Sequence, residues 1–131
     1  MPTAKVLIVE DDQFIRDLYT ETLTGEGYIV DSAVDGEEGL TKIKQGSWDL
    51  VLLDIVMPKL DGLGVMRALA KDPDWKVYTK HLVFLTNLDK DEEIKEALTQ
   101  GEGYIIKSQI TPGDMVTEVA AYLAKPQLSA V

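Results

Sequence analysis

Val6-Leu7-Ile8-Val9-Glu10-Asp11-Asp12 and Leu50-Val51-Leu52-Leu53-Asp54 are two short apolar runs that each finish in acid. Runs of this length suit fully buried strands, and burial on both faces marks a parallel sheet covered by helices on each side. In an open α/β sheet, ligands bind beyond the carboxyl ends of the strands, where the connections switch direction. The two runs therefore bring Glu10, Asp11 and Asp54 to one sheet edge. Carboxylates gathered there repel by roughly 4 kcal/mol per close pair at an effective dielectric of about 20. A hard divalent cation with oxygen ligands is the natural compensation. The chain advertises an acidic metal pocket.

Outward from these runs the chain alternates between strand and helix. The first strand spans about Ala4 to Glu10. A helix follows with Phe14, Ile15, Leu18, Tyr19, Thr22 and Leu23 on its inner face, closed by Gly25-Glu26-Gly27. Tyr28 to Ala33 forms a second strand. Asp35 caps a helix from Gly36 to about Lys44, with Leu40 and Ile43 inward and Gly46 as its stop. Trp48 to Asp54 is the third strand, and a helix from about Leu63 to Lys71 leads into a Pro-containing loop. His81 to Thr86 is the fourth strand. Asp89 to Thr99 forms a helix, with Asp89 and Glu92 at capping-box spacing. Tyr104 to Lys107 is the fifth strand. Thr111-Pro112 opens a last helix that Pro126 ends. Five strands alternating with five helices give a doubly wound, flavodoxin-like parallel sheet, in the order 2-1-3-4-5. Residues 1–126 form one domain, and Gln127 to Val131 form a frayed tail.

Composition narrows the function classes. The 131 residues suffice for one ordinary core, with 45% hydrophobic and 27% charged residues. A formal net charge of −10 offers no basic stripe for nucleic-acid phosphates. Cys is absent, so disulfide and thiolate chemistry are excluded. No apolar run reaches membrane-spanning length, and the start of the chain lacks a signal-peptide core. A cytoplasmic setting without membrane or direct nucleic-acid contact is expected.

In the 2-1-3-4-5 order, Glu10, Asp11, Asp54, Thr86 and Lys107 converge on one edge. Asp54 is placed as the nucleophile, because a carboxylate can attack a phosphoryl group and hold it as an acyl phosphate. Asp11 is placed as a direct Mg²⁺ ligand, and Glu10 as a ligand directly or through water. Three acids against one lysine leave a net −2, hostile to an incoming phosphate. Magnesium brings that sum to zero and bridges phosphoryl oxygens during transfer. Lys107 supplies a mobile cation and Thr86 a neutral hydroxyl donor. Asp12 is expected to cap the following helix rather than join the ligands. His81, the single histidine, is expected to serve structure. Trp75 and Tyr78 are expected to pack back on the domain.

With these residues in place, the chain resembles the receiver domain of two-component response regulators over nearly its whole length. The resemblance rests on Val6 to Asp12, on Asp49 to Gly62 with its Asp-x-x-Met-Pro-x-x-Asp-Gly core, on Leu82 to Thr86, and on Gly103 to Lys107. It implies a stand-alone phosphoacceptor switch. A partner histidine kinase, phosphotransfer protein or small phosphodonor loads Asp54, and a downstream protein target receives the signal by contact or onward phosphotransfer. Such a protein is no enzyme toward other substrates; it catalyses only its own phosphorylation and dephosphorylation. The resemblance further implies that the backbone carbonyl of Val56 completes the metal site, and that Tyr104 turns inward as Thr86 moves toward the phosphate. Val56 and Leu88 would flank the path of hydrolytic water.

Two positions depart from the family pattern. Asn87 stands where a small residue is usual, and Ser108 where proline is common. A cis bond to a non-proline residue costs about 2.5–4 kcal/mol, so a trans bond and a reshaped loop are expected after Lys107. Two rival classes fit less well. An aspartate-nucleophile phosphatase needs a second Asp two residues on, where Val56 stands. A flavin binder needs a Ser/Thr/Gly-rich loop after the first strand, where Asp11-Asp12-Gln13 stands.

Overall fold

A computed structural model describes residues 3–87 and 102–126. The elements are β1 (Lys5–Val9), α1 (Gln13–Gly25), β2 (Ile29–Ala33), α2 (Gly36–Gln45), β3 (Leu50–Asp54) and α3 (Gly62–Ala70). After a 3₁₀ turn (Trp75–Val77) come β4 (Leu82–Thr86), β5 (Gly103–Ile106), a second 3₁₀ turn (Lys107–Gln109) and α4 (Pro112–Leu123). The expected helix over 89–99 and the tail over 127–131 lie outside the described residues. All pairings are parallel, in the order β2-β1-β3-β4-β5. The expected topology is the observed one.

Strand alternation divides the core into two layers. Leu7, Val9, Val51, Leu53, Leu82 and Phe84 pack with Ile43 of α2 and Leu63, Met66 and Leu69 of α3. Val6, Ile8, Leu50, Leu52, Val83, Leu85 and Ile105 pack with Tyr19 and Leu23 of α1 and Met115 and Val119 of α4. All five residues of β3 and of β4 are buried, because helices cover both faces. Each Leu or Val taken from water contributes about 1.5–3 kcal/mol, so the central strands are the anchored part of the sheet.

The local signals locate the helices. Asp12 accepts from the Ile15 amide at 3.0 Å, Asp35 from Glu38 at 2.9 Å, and Asp61 from Gly64 at 2.7 Å. Thr111 and Asp114 close a reciprocal capping box at the start of α4. Phe14 does not join the inner face of α1: its side chain is 77% exposed. At roughly 100° per residue it stands about 140° from Tyr19 and about 180° from Leu23, the two residues of α1 that are fully in the core. The i, i+4 row beginning at Phe14 had drifted too far round the helix. Trp48 precedes β3, pairing with Thr79 in an isolated bridge and donating its indole N–H to the Lys42 carbonyl at 2.9 Å. Trp75 is buried, and the Tyr78 hydroxyl donates to Asp72 at 2.9 Å, so that loop does pack back.

The loop after β3 is held against its neighbours. Lys59 adopts φ 67 and pairs with Asp35 at 3.5 Å. Gly62 lies so close to Asp54 that an added Cβ would fall 2.2 Å from the Asp54 carbonyl oxygen. Overpacking a site of this kind costs about 1–3 kcal/mol. At Gly25, in the last turn of α1, a Cβ meets nothing, and alanine gains up to about 1 kcal/mol of helix propensity. Gly62→Ala is therefore expected to lower the urea midpoint of unfolding, and Gly25→Ala to preserve or raise it. Equal midpoints for the two variants would contradict the close approach at Gly62.

Candidate functional site

Side-chain parity builds the site. Glu10 continues the Val6, Ile8 row of β1, Asp54 the Leu50, Leu52 row of β3, and Lys107 extends β5 two residues past Ile105. All three thus stand at the carboxyl edge on the α1/α4 side of the sheet. The Lys107 ammonium lies 2.7 Å from Glu10 Oε1 and 3.1 Å from Asp54 Oδ2. Glu10 and Asp54 are buried, and Asp11 beside them is exposed. One carboxylate oxygen from each of Glu10, Asp11 and Asp54 lies within 4.8 Å of the others. Three oxygens so spaced fit one hard cation of the Mg²⁺ or Ca²⁺ kind. Asp12, the fourth acid of the two runs, is spent on capping α1.

Burial and crowding set the protonation of this cluster. Burial, the hydrogen bond with Glu10 and the Glu10 charge push the Asp54 carboxyl up to about 8, against the pull of Lys107. Burial acts upward on Glu10 too, but its hydrogen bonds with Asp54 and Lys107 outweigh it and hold the carboxyl below its ordinary range. Lys107 is pushed down by burial and further up by the two acids, ending above its ordinary value. The bare cluster therefore favours a proton on the acid pair, with Asp54 the member pushed toward its protonated form.

Thr86 and Tyr104 belong to the other row. Thr86 follows Phe84 on β4, one residue past Leu85, the register partner of Asp54. Tyr104 pairs with Phe84 and is half-buried on that same face, so Thr86 and Tyr104 are diagonal neighbours across β4 and β5. Val56 sits two residues beyond Asp54 with its side chain largely exposed. Lys107 lies just past β5, in the 3₁₀ turn Lys107–Gln109; Ser108 is in that turn and every described peptide bond is trans. Asn87 is exposed at the end of β4, and Leu88 lies outside the described residues.

Two further residues bear on the site. Arg16 of α1 donates to the backbone carbonyls of Glu10 at 2.8 Å and Asp11 at 3.3 Å. In the sequence its signal is spacing: by the family resemblance, its distance from the three acids marks Glu10 and Asp11 as the acidic pair and leaves Asp12 one place beyond. His81 is buried and its Nδ1 pairs with Glu102, joining the starts of β4 and β5 in the structural role expected of it.

Fold and site together define a class, a doubly wound sheet with an acid–lysine cluster at its carboxyl edge, and the comparisons with known proteins give that class its family. The family profile described as "Response regulator receiver domain" matches residues 6–120, and the chain belongs to that family. It is 40% identical over 108 residues to the chemotaxis protein CheY of Treponema pallidum, covering 79% of this chain and 72% of that protein. It is 36% identical over 127 residues to the probable transcriptional regulator ycf27 of Guillardia theta, covering 96% of this chain and 48% of that one. The chain thus spans about half the length of some curated relatives. Among solved structures, a CheX-CheY-BeF3-Mg+2 complex from Borrelia burgdorferi matches with a TM-score of 0.79 and 31% identity, over 95% of this chain and 92% of that one. Among the described residues, no helix is long and apolar enough to cross a membrane.

A raised carboxyl makes the metal-free fold pH-sensitive in a defined direction. The stability associated with protonated Asp54 is complete below its unfolded value near 3.8 and is lost as pH rises through about 8. Asp54→Asn removes that loss. In EDTA the variant is expected to gain stability over the parent at about pH 9 and to gain much less at about pH 5. A gain of the same size at both pH values would show that Asp54 carries no proton in the bare site.

Proposed function

We propose that this domain is a phosphoacceptor switch in which Asp54 receives a phosphoryl group from a phosphohistidine of a partner kinase or phosphotransfer protein, or from a small phosphodonor. The supporting observation is the buried Lys107 ammonium shared by Glu10 and Asp54, with Asp11 at the rim. Asp54 first gives up its proton to solvent, and its carboxylate oxygen then attacks phosphorus while the donor's P–N or P–O bond breaks. The displaced imidazole or carboxylate departs, and Asp54 becomes an acyl phosphate. Asp11, Glu10 and Asp54, with the Val56 carbonyl, would hold Mg²⁺. Bound there, the ion would supply charge neutralisation and orient phosphoryl oxygens. Lys107 is already at the acceptor oxygen, poised to meet a phosphoryl oxygen, and Thr86 supplies a hydroxyl from the end of β4. The domain acts as a catalyst on itself alone and works in the cytoplasm.

Output follows from the second row. A phosphoryl oxygen that attracts the Thr86 hydroxyl leaves room on the face where Tyr104 stands diagonally. Phosphorylation then biases Tyr104 inward, a population shift driven by the difference in contacts between two states. The altered face is offered to a downstream protein.

Two outcomes check this function. Incubation with acetyl phosphate and Mg²⁺ is expected to add one phosphoryl group by intact mass. That addition should vanish in Asp54→Asn and in EDTA; unchanged labelling of Asp54→Asn would sink the assignment. The second concerns lifetime. Val56 lacks a polar group to orient a water for in-line attack, so self-dephosphorylation is expected to be slow. Val56→Asn is expected to accelerate phosphate loss roughly ten-fold if about 1.4 kcal/mol of water orientation is restored. A variant that holds phosphate longer than the parent would refute that role.

A further inference from the structure

Arg16 stands one turn into α1 and has no carboxylate partner among the described residues. Its bonds go to backbone oxygens instead. Nη1 reaches the carbonyls of Glu10 and Asp11, and the Arg16 amide donates to the carbonyl of Asp12 at 2.9 Å. One residue therefore gathers the carbonyls of all three consecutive acids. A peptide unit is planar and trans, so its C=O and the next N–H point in opposite directions. Turning the Glu10 and Asp11 carbonyls toward Arg16 turns the Asp11 and Asp12 amides the other way. The Asp12 amide shows the consequence, donating to Glu10 Oε2 at 3.2 Å.

We infer that Arg16 is a positioning residue for the metal-binding acids: it fixes the two peptides between Glu10 and Asp12 so that N–H groups, not carbonyls, face the acidic cluster. The inference rests on the Mg²⁺-assisted function proposed above. Without the guanidinium, two carbonyl dipoles are free to rotate toward Glu10 and Asp54 and add to a field that is already negative. The Glu10 carboxylate also loses the amide that holds one of its oxygens, while the Lys107 ammonium keeps the other. Groups that orient ligands from behind in this way typically change metal affinity by about 10–100-fold. Arginine suits the task because Nη1 carries two N–H groups fixed in a rigid, permanently charged plane, one for each carbonyl, whereas a lysine ammonium is a point charge on a flexible stem.

The sign of the effect separates positioning from simple charge. Removing a cation near the site makes the pocket more negative, which by itself tightens Mg²⁺ binding. Loss of positioning weakens it. Calorimetric titration of the metal-free protein with Mg²⁺ is expected to show Arg16→Met binding about ten-fold more weakly than the parent, with Arg16→Lys in between. In the metal-free proteins, the Asp12 amide is expected to exchange with solvent faster in Arg16→Met than in the parent. Mg²⁺ affinity that is unchanged or tighter in Arg16→Met, or an equally protected Asp12 amide, would overturn the inference. Should Arg16→Met fail to fold, Arg16→Lys decides it by the same two measurements. A parent protein that binds no Mg²⁺ would refute the proposed function instead, and the Asp12 amide would still report on Arg16.

Discussion

The ammonium of Lys107, buried between Glu10 and Asp54, is the constraint on which the carboxyl edge of this sheet depends. Taking three ionisable groups out of water costs several kcal/mol each before their mutual attraction is counted. The cluster is tolerated because each member ends a strand that is itself anchored. Val6 to Val9 and Leu50 to Leu53 have no exposed surface, so their backbones do not yield to carboxylate repulsion. What yields is protonation: Asp54 keeps a proton well above the usual carboxylate range. Three carboxylate oxygens this close fit a divalent cation, which would supply two positive charges where the bare cluster relies on a proton.

The two-layer core explains the division of labour around this cluster. Residues in the α1/α4 row lead to Glu10, Asp54 and Lys107, and residues in the α2/α3 row lead to Thr86 and Tyr104. The acid–lysine cluster and the Thr86–Tyr104 pair thus occupy opposite parities of the same strands. They meet at the strand ends, where Glu10, Asp54 and Thr86 are all buried. The loops there are held by local backbone features: Lys59 in the left-handed region, Gly62 against the Asp54 peptide, and Arg16 across the acidic turn.

Much of this was legible in the chain, for identifiable reasons. Asp54 and Lys107 could be placed because apolar runs mark the strands and a strand end dictates where the next polar residue goes. Asp12 could be separated from the ligands because a cap two positions before Phe14 satisfies the orphan amides of α1. The boundaries that moved did so by one or two residues, where a hydrogen-bond ladder stops short of the apolar run; Trp48 is the clearest instance. Phe14 was misplaced because helical spacing taken pairwise accumulates drift, and only a centre fixed by Tyr19 and Leu23 corrects it.

The sequence alone determined the α/β class, the strand order, the acidic pocket with its lysine, and the family to which the chain belongs. These follow from short-range patterns, since periodicity, caps and strand-end residues are local properties. Tertiary structure alone decided which acid is buried and which exposed, which carboxyl is pushed up by that burial, and that Arg16 serves carbonyls and not carboxylates. The physical reason is distance: Glu10 and Lys107 are 97 residues apart in the chain and 2.7 Å apart in the fold. Burial and charge act through space, and no local pattern records which groups the fold will press together.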